Sequence, residues 1–165
     1  RGGRAGRGRS LSNDEIAEAR AAARRAATAL LARREHSRHE INQKLIKKGH
    51  PATIVAEVAE QLAREGKLSD NRFAESLAHS RRGRGQGPVR IRRELAEKGV
   101  DSEVVAELVD VSAPDWLRLA DATRRKKFGE SLPATAAERA RQARFLQYRG
   151  FTSEQIRRAL RGEDD

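Results

Sequence analysis

Three glycines, Gly49, Gly99 and Gly150, recur at intervals of about fifty residues, and each closes the same local pattern. Leu45, Leu95 and Leu146 stand four residues before them, and Lys48, Lys98 and Arg149 stand one before. Val55, Val105 and Ile156 follow six residues later. Each copy reads as an amphipathic helix, a glycine stop, and a second helix whose apolar stripe folds back. Ile41 with Leu45, and Ile91 with Leu95, lie one turn apart on one helical face. A further helix precedes each pair, beginning near Asn13, Asp70 and Pro114. No stretch alternates with the period of a strand. The expected fold class is all-α: three tandem three-helix repeats. One such unit buries its stripe poorly alone, whereas stacked neighbours bury it well. The expected product is an elongated, curved array joined by semi-flexible hinges.

Capping residues place the boundaries. Ser12 and Asn13 open the first helix, which is rich in Ala, Leu and Arg and is expected to run to about His36. Ser37-Arg38-His39-Glu40 and Thr135-Ala136-Ala137-Glu138 are capping boxes, and Asp101-Ser102 and Thr152-Ser153 open two shorter helices. Pro51, Pro88 and Pro114 fall at helix starts. The expected organisation is an Arg/Gly-rich leader over 1–11, repeats over 12–66, 67–111 and 112–162, and an acidic tail over 163–165. The leader begins RGGRAGRGR and is expected to be disordered, because nothing in it can be buried. Phe73 is the only aromatic residue before Trp116, after which come Phe128, Phe145, Tyr148 and Phe151. That distribution predicts a best-packed third repeat and a more mobile first one.

Composition narrows the function. The 165 residues include 35 Lys+Arg against 24 Asp+Glu, for a formal charge of +11, and no cysteine. The pI is near 11.0 and the mean hydropathy is −0.81. Such a chain is expected to be cytoplasmic and drawn to polyanions or acidic protein surfaces. Disulfides, thiolate metal sites and a cysteine nucleophile are excluded. No apolar run approaches the roughly 20 residues of a membrane span. No methionine occurs even at position 1, which reads as a trimmed product. His36 and His39 are flanked by Glu35 and Glu40, but the capping box at Ser37 interrupts any shared face, so no metal site is assigned. Glu57 and Glu60 read as a solvated pair, and the glycines between Arg81 and Pro88 match no phosphate loop, because no strand precedes them. No catalytic residue and no cofactor are assigned.

Several stretches together resemble the RecX family of RecA regulators. These are LLARREHSRHEINQKLIKKG (Leu30 to Gly49), LSDNRFAESLAHSR (Leu68 to Arg81), RRGRGQGPVRIRRELAEKGV (Arg81 to Val100) and RFLQYRGF (Arg144 to Phe151). The segment from Trp116 through Arg124-Arg125-Lys126-Lys127-Phe128-Gly129-Glu130 to Leu132-Pro133 resembles that family's link into its third repeat. The resemblance spans about residues 28–161, with two departures: His50 stands where the other copies carry Val100 or Phe151, and the leader has no counterpart. It implies a non-enzymatic protein that binds RecA in the groove of its nucleoprotein filament. Such binding limits filament growth and suppresses ATP hydrolysis, strand exchange and coprotease activity.

The expected contacts are basic. Arg81, Arg82, Arg84, Arg90 and Arg93 belong to a run of six arginines, with Arg92, that holds no acid and contains a glycine-rich hinge. Arg124, Arg125, Lys126 and Lys127 form a second run at a helix end, and Arg144 adds to a basic third repeat. Solvated helix faces, dipole complementation and pairing with nearby acids are the alternatives for these charges. Tyr148 and Trp116 are expected to pack in the core or between repeats, with polar tips at the surface, and Phe145 and Phe151 to be core. The expected partner is RecA and its filament on single-stranded DNA, with weak direct DNA binding secondary and the chain a monomer. A DNA-binding protein built from repeated helix-turn-helix-like units is the rival reading, and an adaptor solenoid with another partner is a third.

Overall fold

A computed structural model describes residues 11–162, so the leader up to residue 10 and the acidic tail over 163–165 lie outside the described residues. Among the described residues the chain is all-helical. It forms α1 (Asn13–Leu31), α2 (Arg38–Lys47), α3 (Ala52–Arg64), α4 (Asp70–Gly83), α5 (Pro88–Glu97), α6 (Ser102–Leu108), α7 (Asp115–Phe128), α8 (Ala136–Arg149) and α9 (Ser153–Ala159). Capping boxes at Ser12, Ser37, Thr135 and Thr152 start α1, α2, α8 and α9, each with the residue three positions later bonding back to the cap. None of these helices is long and apolar enough to cross a membrane.

The three repeat glycines share one geometry. Gly49, Gly99 and Gly150 have φ of 94°, 76° and 93°. At each, the following amide donates to the leucine carbonyl four residues before the glycine: His50 to Leu45 at 3.1 Å, Val100 to Leu95 at 3.1 Å, and Phe151 to Leu146 at 3.2 Å. These are Schellman closures, and they need a left-handed residue at the corner. The leucines are fully buried. One corner therefore both ends a helix and fixes the residue that plugs the core.

The chain divides into two compact units, one ending at Ser69 and one beginning at Asp70. The first packs α1, α2 and α3 around Ala23, Ala27, Ile41, Leu45, Val55, Val58 and Leu62. Alanines on α1 let backbones approach closely, and this cluster has more buried residues than the one around Ala120, Leu146, Phe151 and Ala159. The aromatic distribution had pointed to the third repeat instead. Aliphatic side chains fill the first core, while Tyr148 of the third stands 77% exposed rather than packing. Helix α1 stops at Leu31, short of His36. His36 is itself buried, with Nδ1 3.0 Å from the Arg34 carbonyl and Nε2 3.0 Å from Lys44 Nζ. No glycine or proline announces that turn.

The second unit holds both remaining three-helix sets. Trp116, the first buried residue of α7, is 1% exposed and belongs to the cluster of α4, α5 and α6. Its Nε1 donates to the Asp110 carbonyl at 2.7 Å. Leu119 packs against that cluster and against the one built from Ala120, Leu146, Phe151 and Ala159. The stretch read as a mobile hinge is a hydrogen-bonded turn. Helix α4 runs on to Gly83, the Gly87 amide donates to the Arg149 carbonyl at 2.8 Å, and Val89 donates to the Gly150 carbonyl at 2.9 Å. A Cβ at Gly87 would lie 2.5 Å from Gly150 C, and one at Gly150 would lie 2.3 Å from Arg90 Cβ. Two glycine corners thus interlock backbone against backbone.

Candidate partner-binding cleft

The two basic runs converge. The end of α4 and its glycine turn face α7 and α8 across a cleft of about 320 Å³. Arg82, Arg84, Lys126, Lys127 and Arg149 line it over an apolar floor of Leu119, Ala122 and Phe145, and no carboxylate is among the lining residues. Two of these cations are held in place. Arg82 lies over the Trp116 ring at 4.3 Å and 3.6 Å from Asp115. Arg149 donates to the Arg84 carbonyl at 2.8 Å and sits over the Phe145 ring at 5.2 Å. Arg84, Lys126 and Lys127 are exposed. At Arg84, Lys126 and Lys127 the cleft therefore presents exposed positive charge above apolar carbon, which suits carboxylates or phosphates.

The other expected contacts separate by environment. Arg90 and Arg93 open onto a neighbouring depression with Arg84, Gln86 and Lys98, where Glu94 and Glu97 temper the charge. Arg90 also lies over the Tyr148 ring at 5.5 Å, and Arg93 is 3.7 Å from Glu97. Arg144 is exposed on α8 and lines neither recess. Arg81 makes a bidentate pair with Glu94 at 2.8 and 2.6 Å, holding α4 to α5. Those hydrogen bonds keep the Glu94 carboxyl below its usual range and raise Arg81.

Arg124 corrects the sequence reading outright. Its side chain is 1% exposed and bonds Asp121 Oδ1 at 3.2 and 3.1 Å and the Gly129 and Ser131 carbonyls at 3.3 and 3.1 Å. A guanidinium so enclosed holds the loop after α7 and cannot reach a partner. Arg125 shares Asp121, at 2.5 Å, and remains 40% exposed. Position in a charge run gives no warning of this: helical periodicity turns Arg124 inward and Lys126 and Lys127 outward.

Comparison with known proteins gives the frame for this surface. Residues 23–62, 69–108 and 115–160 match the first, second and third three-helix domains of RecX. The chain belongs to the RecX family. A regulatory protein RecX from Halorhodospira halophila is 48% identical over 151 residues, covering 92% of this chain and 94% of its own. Another from Ectopseudomonas mendocina is 43% identical over 144 residues, covering 87% and 96%. The crystal structure of RecX from Lactobacillus salivarius superposes with a TM-score of 0.76 at 17% identity, covering 90% of this chain and 98% of that one.

Set within the RecX domains, the cleft lies between the second and the third. Its floor and Arg149 were not among the contacts expected from sequence, where Phe145 was read as core and Arg149 as a repeat position. Arg149 carries a signal in retrospect, since it occupies the cationic repeat position of Lys48 and Lys98. Leu119, Ala122 and Phe145 carry none, because only packing brings them together. Among the described residues no group of three or more His, Asp and Glu side chains could hold a metal ion.

Proposed function

We propose that this RecX-family chain is a non-enzymatic regulator that binds RecA and its nucleoprotein filament, limiting filament growth, ATP hydrolysis, strand exchange and coprotease activity. The observation that carries the reading is the convergence of two separate basic runs on one acid-free cleft of the second unit. Family membership supports the partner, and the relatives' description as regulatory proteins supports a binding role. Contacts made by linked units to successive filament subunits become intramolecular after the first, so avidity of about 10²–10⁴-fold needs no single strong site. Inhibition follows if the bound chain favours a filament geometry unsuited to turnover, since only differential affinity shifts such an equilibrium.

The test is RecA's DNA-dependent ATPase at substoichiometric amounts of this protein. Wild type is expected to inhibit, and Arg84→Ala with Lys126→Ala and Lys127→Ala is expected to weaken inhibition by about ten-fold or more in midpoint concentration. Arg81 is left unchanged, because its pair with Glu94 is internal. No inhibition by wild type at any ratio would overturn the proposal. Tight binding to naked DNA with a steep salt slope, in place of filament preference, would favour the DNA-binding reading.

A further inference from the structure

The cleft has a composition that phosphate binding alone does not call for. Its cations ring an apolar floor of Leu119, Ala122 and Phe145, and Thr123 lines it with a hydroxyl already donated to the Leu119 carbonyl at 2.6 Å. Arg and Lys bond guanine edges as readily as carboxylates, so charge alone does not choose between these ligands and the apolar floor does. The aromatic rings nearby are already used. Arg149 covers Phe145, the Phe128 ring meets Phe145 edge-on with centroids 5.3 Å apart, and Arg82 covers Trp116. With Arg149 over one face and Phe128 in edge contact, Phe145 offers the cleft a small carbon surface, suited to an aliphatic contact and poor for stacking a base. A volume of about 320 Å³ suits one medium-sized side chain with its flanking backbone.

Resting on the proposed function, we infer that this cleft is a receptor for an acidic peptide segment of the partner, one that inserts a single aliphatic side chain between flanking carboxylates. The aliphatic group covers Leu119, Ala122 and Phe145, and the carboxylates meet Arg84, Lys126 and Lys127 at the rim. Arg82 and Arg149 are held by Trp116, Phe145 and the Arg84 carbonyl, so they are ordered before the ligand arrives and little side-chain freedom is lost on binding. The apolar insertion supplies affinity and the charges supply orientation and encounter rate.

The experiment is fluorescence anisotropy on the full chain with three labelled probes: an acidic peptide carrying one leucine, the same peptide with serine in its place, and oligo-dT of similar charge. The leucine peptide is expected to bind at least about ten-fold more tightly than the serine peptide. Lys126→Glu with Lys127→Glu is expected to abolish that binding. Ala122→Phe, which fills the cleft and leaves every charge in place, is expected to weaken the leucine peptide by about ten-fold and oligo-dT hardly at all. Each variant is first matched to wild type in helical content and melting temperature. Equal binding of the two peptides, or indifference to Ala122→Phe, would overturn the inference, as would oligo-dT outcompeting the leucine peptide at equal charge. The ATPase assay separates the two claims: RecA inhibition intact in Ala122→Phe sinks the receptor and spares the function, while peptide binding without RecA inhibition does the reverse.

Discussion

Arg124 and Lys126 stand two residues apart in one basic run, yet Arg124 is enclosed and Lys126 is exposed. Truncating Arg124 to alanine leaves Asp121, itself 5% exposed, short of a partner and strips the carbonyls of Gly129 and Ser131. Arg125 still holds the other oxygen of Asp121, so the cost is that of buried acceptors left unsatisfied, about 1–3 kcal/mol. Chemical denaturation is expected to show that loss for Arg124→Ala, whereas Lys126→Ala stays within about 0.5 kcal/mol of wild type. An Arg124→Ala variant of unchanged stability would contradict the assignment. Two groups of the first unit titrate with definite sign. Arg24 donates to both oxygens of Glu65, at 3.1 and 2.6 Å, and holds its carboxyl at about 2 instead of the ordinary 4.5. Burial pushes His36 below its ordinary value of 6.5. Both depressions mean that the unfolded chain takes up protons first. The His36 contribution is complete above pH 6.5 and falls as pH drops below it; the Glu65 contribution is complete above about 4.5 and is lost toward 2. Carboxyl NMR titration of Glu65 is expected to return toward the ordinary range in Arg24→Ala. A Glu65 titration unmoved by that change would contradict the pairing.

Among the elements, the glycine corners were the most legible part of the chain. Their spacing, and the leucine four residues earlier, pointed to three equivalent helix ends, and all three close by the same hydrogen bond. The capping boxes at Ser37 and Thr135 were readable for the same reason: both are local, and local chemistry sits within a few residues of sequence. The end of α1 was not readable, because the chain leaves the helix at Ala32 with no glycine or proline to mark the turn. Nor could sequence show that the corners at Gly49 and Gly150 differ in surroundings. Nothing lies within 4 Å of a Cβ built on Gly49, while one on Gly150 would run into Arg90. Gly49→Ala therefore meets only left-handed backbone strain, about 1–2 kcal/mol. Gly150→Ala adds steric overlap of about 1–3 kcal/mol and loosens the turn over Gly87. Unfolding midpoints are expected to rank wild type above Gly49→Ala above Gly150→Ala. Equal losses would show that the interlocked corners do not bear on each other.

At the scale of the molecule, the two compact units redraw the expectation of three separately hinged repeats. Gly87, Trp116 and Leu119 tie the second and third three-helix domains into one unit. The cleft exists because of that tie, and its floor was invisible in a one-dimensional reading. The cations at its rim were visible, since Arg82, Arg84, Lys126 and Lys127 stood in runs without acids. Charge is the basis for proposing a polyanionic or acidic partner, and packing decides which charges are exposed. The measurement that bears most directly on this account is binding of the full chain to RecA filaments on single-stranded DNA with a non-hydrolysable nucleotide, set against the same DNA without RecA. The account predicts a preference for filaments of at least about 100-fold, reduced about ten-fold or more by Arg84→Ala with Lys126→Ala and Lys127→Ala. Equal affinity for filament and bare DNA, or full filament binding by the triple variant, would contradict it.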